Sequence, residues 1–329
     1  RAAKAVLAVI PMEDIVEPDL VICDPHHHLW DNPGDRYLIE DLAADVASGH
    51  RVVSTVFVEC DSAYRTNGPS SFQPVGETEF VVGADPEGLI AGIVGFADLR
   101  APEIEDVLAA HLDCGAGRFR GIRHRSAWDP VIELPPSHSS PPPGLLGDPA
   151  FRSGIAAVGV AGLSFDAWLY HPQIPELTEL ARAQPDVAIV VDHLGGPLGI
   201  GPYRARHAEV LSAWRAAMTE LATCPNVFLK LGGVGMPLFG MKWHHNPAST
   251  TSEDIAAAWG GEIRWCIELF GVDRCMFESN FPVDRLSCSY RVLWNAFKHI
   301  ATHASVTEKA ALFHDTATMV YRLVDREQP

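Results

Sequence analysis

Long apolar runs are missing from this chain of 329 residues. Charged residues or proline break each hydrophobic stretch well before the roughly 20 residues that a helix needs to cross a bilayer, so we predict no transmembrane helix. Paired Cys-x-x-Cys spacing is missing as well, and the seven cysteines are odd in number and widely spread. Most of them lie inside apolar runs, which predicts buried, reduced thiols and favours a cytoplasmic protein.

Basic residues are scarce. The 25 Lys and Arg residues face 42 Asp and Glu residues, which gives a formal net charge of −17. A nucleic-acid-binding surface needs a basic face to neutralise phosphates, and no basic stretch is visible along the chain. The composition therefore argues against nucleic acid as a partner and favours a small-molecule substrate. An anionic substrate would need a local cluster of arginines in this acidic protein.

Eight short runs rich in β-branched residues alternate along the chain with stretches whose apolar residues have helical spacing. This alternation is typical of a parallel sheet built from βα units, and eight units favour a closed (β/α)8 TIM barrel over an open sheet. We assign residues 20–329 to one barrel and residues 1–19 to an N-terminal arm on its outside. The predicted strands are 20–24, 52–59, 89–97, 119–124, 162–169, 187–193, 227–231 and 275–278.

Two segments are too long to be plain connections. Residues 127–147, with prolines at 135, 136 and 141–143 among others, follow the fourth predicted strand, and residues 232–252, with His244 and His245, follow the seventh. Loops that follow barrel strands lie on the catalytic face and shape the substrate pocket. We expect these long loops to do so, with His244 and His245 as exposed residues of a lid.

Histidines follow the first predicted strand, in the segment Asp24-Pro25-His26-His27-His28. In extended geometry Asp24, His26 and His28 point to one side of the strand and His27 points to the other. Two imidazoles then converge at the carboxyl end of the strand, as metal binding or proton transfer requires. A solvated histidine run in a loop is the alternative, but the position directly after a buried strand favours a site.

A further histidine, His193, ends the sixth predicted strand. Gly195, Gly196 and Pro197 follow it closely and indicate that the chain turns there, at the rim of the barrel. A lone histidine is more often structural. Because parallel strands of a barrel all end at the same rim, we nevertheless predict that His193 faces the same mouth as His26 and His28.

Three segments together resemble the amidohydrolase superfamily. They are the Asp-x-His-x-His end of the first strand, Asp192-His193-Leu194-Gly195-Gly196-Pro197, and Phe277-Glu278-Ser279-Asn280-Phe281-Pro282. They occur in the family's order between residues 20 and 324, and they are most similar to the amidohydrolase 2 branch. That branch includes sugar lactonases and the pyrone-dicarboxylate and sulfomuconolactone hydrolases. The resemblance implies a barrel with its site at the mouth and hydrolysis of a lactone or related ester.

One position departs from the family pattern. In that family an aspartate usually ends the eighth strand and binds a metal or activates water, whereas this chain has Asn280. A neutral amide cannot accept the proton. Glu278 lies two residues earlier and can share the strand face, so it is either the replacement carboxylate or a buried structural acid. Asp284 is a third candidate, although its spacing does not aim it inward.

The same departure leaves two hypotheses about a metal. His26, His28 and His193 suffice for a catalytic zinc, which commonly keeps three protein ligands and one open position. Related lactonases include both metal-dependent and metal-independent members, so the resemblance leaves metal-free catalysis as the alternative to one divalent ion, zinc first. Lys230, in the seventh predicted strand, is expected to meet a carboxylate such as Glu278, because a buried unpaired lysine is costly.

Candidate substrate-binding residues follow the fourth and fifth predicted strands. Arg123 and Arg125 share one strand face, and the planar guanidinium fork suits a carboxylate or sulfonate. We expect at least one of them to anchor a substrate anion, with a salt bridge to a barrel carboxylate as the alternative. Tyr170 and His171 are the other two candidates at the mouth.

The sequence therefore predicts a hydrolase that opens a lactone, with a carboxylate-bearing lactone as one candidate substrate. The predicted catalytic residues are His26, His28, His193, Glu278 and Asn280. A metal-dependent, non-oxidative decarboxylase of an aromatic acid is one alternative, since a neighbouring branch of the superfamily performs that reaction. A catalytically silent barrel that binds a ligand is the other, and Asn280 is its best argument. Homo-oligomer formation is left open.

Overall fold

The computed structural model describes residues 13–131 and 141–324. Its centre is a sheet of eight strands in which each strand pairs in parallel with the next along the chain. The strands are β1 (Val21–His27), β2 (Arg51–Val58), β3 (Ile90–Gly95), β4 (Phe119–Arg125), β5 (Ser164–Trp168), β6 (Ile189–Val191), β7 (Val227–Leu231) and β8 (Cys275–Phe277).

The sheet closes between β8 and β1 through the residues that follow β8. His27 and Phe281 form a parallel bridge. The amide of His28 donates to the Phe281 carbonyl at 2.8 Å, and the amide of Asn280 donates to the His26 carbonyl at 2.9 Å. The predicted (β/α)8 barrel is therefore confirmed, and every predicted strand overlaps an observed one. The ends of β1 and β8 also lie side by side.

Helices surround the barrel. They are α1 (Ile39–Val46), α2 (Val75–Ala84), α3 (Ile104–Cys114), α4 (Pro149–Val160), α5 (Ile174–Ala183), α6 (His207–Leu221), α7 (Ser252–Phe270), α8 (Tyr290–Ile300), α9 (Val306–Ala310) and α10 (Thr316–Val320). The helical periodicity at 204–223, 253–270 and 290–302 corresponds to α6, α7 and α8. A hairpin of Trp30–Asn32 and Asp35–Tyr37 follows β1.

Local sequence explains where α7 begins and ends. Thr251 and Asp254 form a capping box: the Thr251 hydroxyl accepts from the Asp254 amide at 3.1 Å, and Asp254 accepts from the Thr251 amide at 3.0 Å. Gly271, with φ of 85°, ends the helix. The amphipathic stretch between these residues buries Ile255, Ile263 and other side chains against the barrel and its neighbours.

The last described residues fill the barrel interior at the amino-terminal ends of the strands. Val320, Tyr321 and Leu323, in and just after α10, pack with inward-facing strand residues such as Val56 and Met276. A Cβ placed on Gly92, near the start of β3, would lie 2.9 Å from Leu323. The amino-terminal end of the barrel is therefore closed by apolar packing, and polar side chains are concentrated towards the carboxyl ends of the strands.

Part of the predicted N-terminal arm lies in the described residues. Glu13 accepts hydrogen bonds from the Ser252 amide at 2.8 Å and from the Asn295 side chain at 3.0 Å, so residues 13–19 lie along α7 and α8. Residues 1–12 of the arm, and residues 132–140 of the long loop after β4, lie outside the described residues. The seven cysteines all lie in the described residues, and none of them forms a disulfide bond. In the parts of the chain that the structure describes, we find no helix long and apolar enough to cross a membrane.

Candidate active site

The histidines at the ends of β1 and β6 meet at the carboxyl-terminal rim of the barrel. The ring centroids of His26 and His193 are 4.6 Å apart, and those of His26 and His28 are 4.9 Å apart. His27 points the other way, with its Nε2 3.0 Å from the Thr55 hydroxyl. The convergence that the sequence predicts for His26, His28 and His193 is thus present in the structure.

Asp24 does not share their face, and that prediction is wrong. The pairing of β1 with β2 is irregular between Asp24 and His27, which breaks the strict alternation of side chains. Asp24 instead accepts hydrogen bonds from the Ser279 amide at 3.0 Å and from the Tyr290 hydroxyl of α8 at 2.9 Å. Burial raises the pKa of Asp24 to about 6. Its position joins β1, β8 and α8 behind the histidines.

Glu278 contacts two of the three histidines. Its Oε1 lies 2.6 Å from His193 Nδ1 and accepts a hydrogen bond from the His193 amide at 3.1 Å. Its Oε2 lies 2.8 Å from His26 Nδ1. Burial alone would raise the pKa of Glu278, but the neighbouring His193 and His26 outweigh it and lower the pKa to about 2. The carboxylate therefore lies between the two imidazoles.

Backbone shape brings His193 to Glu278. His193 and Leu194 have left-handed φ values of 52° and 57°, which turn the chain sharply after β6. The two glycines after β7 leave room for this turn. A Cβ on Gly233 would lie 2.7 Å from the His193 ring, and one on Gly232 would lie 2.3 Å from Glu278. Larger residues at these two positions would displace the histidine or the carboxylate.

Asn280 lies on the other side of the site, against His28. Its Oδ1 is 3.4 Å from His28 Nε2, and its Nδ2 donates to Asp284 Oδ1 at 2.9 Å. Asp284, which the spacing does not aim inward, is fully buried and also accepts from the Gly235 amide at 2.8 Å. Burial raises the pKa of Asp284 to about 7. The amide that replaces the family's aspartate is thus held by an acid four residues later.

His28 has a defined tautomer. Its Nδ1 lies 2.7 Å from the carbonyl oxygen of Val58, and a carbonyl can only accept, so Nδ1 carries the proton. Burial and the charges of His26 and Arg123 hold the pKa of His28 well below its usual value, which keeps the ring neutral. The lone pair of Nε2 therefore faces Asn280. The indole of Trp30 stacks on this ring at 6.1 Å.

Lys230 from β7 is fully buried inside the barrel and is paired, as predicted, but with other carboxylates. Its Nζ donates to Asp166 at 2.7 Å and to Asp192 at 3.0 Å, and it lies 3.1 Å from His26 Nδ1. Burial alone would lower the pKa of Lys230, but the charges of Asp166 and Asp192 raise it to about 12. Naming Glu278 as the direct partner is therefore wrong, because Asp166 on β5 and Asp192 after β6 lie closer.

Arg123 and Arg125 both pair with carboxylates after β2. Arg123 Nε donates to Glu59 at 2.8 Å, and its Nη1 lies 3.4 Å from His26 Nε2. Arg125 donates to Asp61 at 2.6 Å and lies 3.3 Å from Glu59. The Arg123 side chain is 5% exposed and that of Arg125 is 18% exposed. The salt bridges that the sequence analysis gave as the alternative are thus present. A role of either arginine in substrate binding stays a prediction.

Tyr170 and His171 lie in the wall beside the cluster. The Tyr170 ring packs against Trp168 at 5.7 Å, and Trp168 packs against His193 at 4.8 Å. His171 accepts a hydrogen bond from the Leu198 amide at 3.4 Å and packs against Tyr203. Their substrate-binding role also stays a prediction. The sequence analysis did not name Glu59 as a site residue. Like Asp192, it is a carboxylate at the end of a buried strand, and this position could have indicated it.

The donor atoms of this cluster fit a divalent ion. Among the described residues, ligand atoms of His26, His193 and Glu278 all lie within 4.8 Å of one another. Glu278 Oε2 is buried, 2.8 Å from His26 Nδ1, and has no hydrogen-bond partner among the described residues. The surrounding carboxylates also outnumber the cations: Asp166, Asp192, Glu278, Glu59 and Asp61 face Lys230, Arg123 and Arg125. His28 is outside this group, and its role as a ligand stays a prediction.

The fold and this buried cluster define a barrel enzyme whose histidines and carboxylates meet at the carboxyl ends of the strands. A family model described as amidohydrolase matches residues 23–323, and the chain belongs to that family. The protein is accordingly a hydrolase.

Similar proteins extend this finding. The chain is 38% identical over 333 residues to the uncharacterized protein y4mH of Sinorhizobium fredii, which covers 93% of this chain and 99% of that protein. It is 27% identical over 249 residues to an L-fucono-1,5-lactonase of Burkholderia multivorans, covering 75% of this chain and 77% of the relative. A crystal structure of an amidohydrolase from Burkholderia multivorans with bound zinc has a TM-score of 0.74 at 22% identity, over 92% of this chain and 100% of that one.

Proposed function

We propose that this amidohydrolase opens a lactone by adding water to the ring carbonyl, which releases a hydroxy acid. The contact between His193 and Glu278 carries the proposal. Because a carboxylate can only accept, His193 Nδ1 bears the proton of the 2.6 Å contact, so the lone pair of the neutral imidazole is on Nε2. An imidazole oriented by a buried carboxylate is suited to take a proton from water. Glu278 is therefore the replacement carboxylate in this mechanism, acting through His193.

A divalent ion, zinc first, fits the same cluster. His26, His193 and Glu278 are the residues that would hold it. In that alternative the lone pair of His193 would bind the ion and would not take a proton from water. When bound, such an ion polarises the carbonyl and lowers the pKa of a coordinated water molecule. The zinc bound in the Burkholderia structure supports a metal ion in this fold, and the surplus of carboxylates around the cluster supports an ion at this cluster.

The substrate is proposed to be a sugar-like or carboxylate-bearing lactone. The L-fucono-1,5-lactonase relatives support a lactone. Arg125 supports a carboxylate, since its side chain is the more exposed of the two arginines and its five N–H donors exceed those used in its contacts with Asp61 and Glu59. Trp168 and Trp30, which pack on His193 and His28, offer apolar faces on which a ring can rest.

The test is turnover of a lactone panel with analysis of the products. Sugar 1,4- and 1,5-lactones and 2-pyrone carboxylates are incubated with the purified full chain, and products are identified by NMR. A ring-opened hydroxy acid supports the proposal. Carbon dioxide released from an aromatic acid would instead support the decarboxylase. Thermal stabilisation by one lactone without turnover of any would support a ligand-binding barrel.

A further inference from the structure

His26 lies between two fixed positive charges. Lys230 Nζ is 3.1 Å from His26 Nδ1, and Arg123 Nη1 is 3.4 Å from His26 Nε2. Both ring nitrogens of a candidate metal ligand therefore face a cation of the protein itself. Nδ1 is also the nitrogen that lies 2.8 Å from Glu278 Oε2, so the ammonium of Lys230 is next to the place where a bound ion would share ligands.

The ammonium is firmly held in this position. Asp166 and Asp192 accept its hydrogen bonds, and all three side chains are fully buried. The Tyr321 hydroxyl, from the segment that closes the barrel interior, donates to Asp166 at 2.6 Å, and the Tyr321 ring lies 5.5 Å from Nζ. Moving Lys230 away would leave two buried carboxylates uncompensated, which is strongly unfavourable.

We propose that Lys230 is a built-in cation of the site, which holds His26 and Asp192 in place without a metal and weakens the binding of any divalent ion. Like charges a few ångströms apart repel strongly inside a protein, where the effective dielectric constant is far below that of water. A divalent ion on His26, His193 and Glu278 must bind against the field of Lys230. The site is therefore formed in the metal-free protein, and an ion there is held weakly and exchanges readily.

This inference rests on the proposed function only for the identity of the ion's ligands. It concerns affinity and stability and not turnover. Lactone hydrolysis and zinc affinity can therefore be measured separately, and either can fail without the other.

The experiment titrates zinc into chelator-treated full-length protein in competition with a zinc-binding dye, for the wild type and for Lys230→Met. Methionine keeps the length of the side chain and removes its charge. We expect the variant to bind zinc at least about tenfold more tightly. We also expect zinc to raise the Tm of the variant more than that of the wild type, because the ion replaces a missing cation. Zinc affinity that is equal or lower in Lys230→Met would overturn the proposal.

Two further variants keep the result interpretable. If Lys230→Met does not fold, Lys230→Met combined with Asp166→Asn is compared with Asp166→Asn alone; these two variants differ only in the charge of Lys230, so a similar increase in zinc affinity is expected between them. Lys298→Met is the matched control, since Lys298 is a buried lysine that contacts His50 and the Glu17 carbonyl, away from the site. Its zinc affinity should equal that of the wild type. An equal increase in this control would also overturn the proposal.

Discussion

Glu278 Oε1 lies 2.6 Å from His193 Nδ1, whereas Asn280, two residues further along the chain, faces His28. The resemblance to amidohydrolases assigns the usual aspartate to the position of Asn280. In this protein that position carries an amide, and the carboxylate of Glu278, two residues earlier, contacts His193 Nδ1. The proposal that Glu278 acts as the replacement carboxylate leads to the first prediction.

Glu278→Gln should lower kcat for lactone hydrolysis at least about 100-fold, the scale of general-base catalysis. The amide keeps the shape of the side chain but cannot stabilise a positive charge on His193. Steady-state kinetics on the best lactone, with circular dichroism to check folding, gives the answer. Activity within a factor of about three of the wild type would remove Glu278 from the mechanism.

Asn280→Asp, which restores the family's residue, should not rescue Glu278→Gln. The new carboxylate would meet Asp284, which now accepts from Asn280 Nδ2 at 2.9 Å, and two buried carboxylates repel each other. The double variant is compared with Glu278→Gln alone at pH 7. Recovery of more than about tenfold would show that the family's aspartate still works at position 280, and the role of Glu278 as its replacement would be wrong.

Arg125→Ala should raise KM for carboxylate-bearing lactones about tenfold or more and leave KM for neutral lactones nearly unchanged. The reason is that only the charged substrate loses a guanidinium partner. Arg206→Ala is the matched control, because Arg206 pairs with Glu209 on the exposed surface. Equal changes in KM for charged and neutral lactones would contradict substrate binding by Arg125 and would indicate that it only holds Asp61 in place.

Stability should fall as pH rises from about 5 to 8, in part because of Glu77. This acid of α2 accepts from the amides of Cys60 and Ser62, and its Oε2 is buried without a hydrogen bond. Burial, helped by the charge of Glu59, raises the pKa of Glu77 to about 8. A raised pKa means that the folded state favours the protonated form. The contribution of protonated Glu77 to the free energy of unfolding is therefore complete below the pKa that Glu77 has in the unfolded chain. It is lost as the pH rises through about 8.

Urea unfolding at a series of pH values tests this. One such group gives a slope of at most about 1.4 kcal/mol per pH unit in the free energy of unfolding. Glu77→Gln should flatten the curve between pH 7 and 8, where the pKa values of Asp24 and Asp284, about 6 and about 7, have largely been passed. A variant with the slope of the wild type would contradict the prediction.

Tyr321→Phe should cost about 1–3 kcal/mol of unfolding free energy, since it removes a hydrogen bond to a buried carboxylate. It should also lower turnover severalfold, because Asp166 holds Lys230 and Lys230 contacts His26. Tyr37→Phe is the control: it removes the 2.8 Å hydrogen bond to Asp45 outside the barrel interior. A similar loss of stability without loss of turnover is expected there. Unchanged turnover in Tyr321→Phe would show that the contact between Tyr321 and Asp166 does not influence the active site.

The sequence predicts the barrel well because its signals are local. β-Branched runs mark strands such as β2 and β3, and the observed Val227–Leu231 coincides with the predicted 227–231. Parallel strands of a barrel end at one rim, so His26 and His193 could be brought together without knowledge of any contact. Asp24 could not be placed, because the irregular register before His27 leaves no mark in the pattern of residue types.

The partners inside the site could not be predicted for a similar reason. Tyr321 meets Asp166 across 155 residues, and nothing near either residue indicates this contact. For Lys230, burial in a strand predicts an acidic partner but not which one, since Asp166 lies within β5 and Asp192 and Glu278 directly follow β6 and β8. The choice depends on strand stagger, which residue patterns alone do not fix.

The most direct test of water activation by His193 and Glu278 is turnover by His193→Asn beside His207→Asn, an exposed histidine at the start of α6. We predict that His193→Asn folds with a Tm close to that of the wild type and hydrolyses the best lactone at least about 100-fold more slowly, while His207→Asn is unchanged. Wild-type turnover by a folded His193→Asn would contradict the assignment of this role to the two residues.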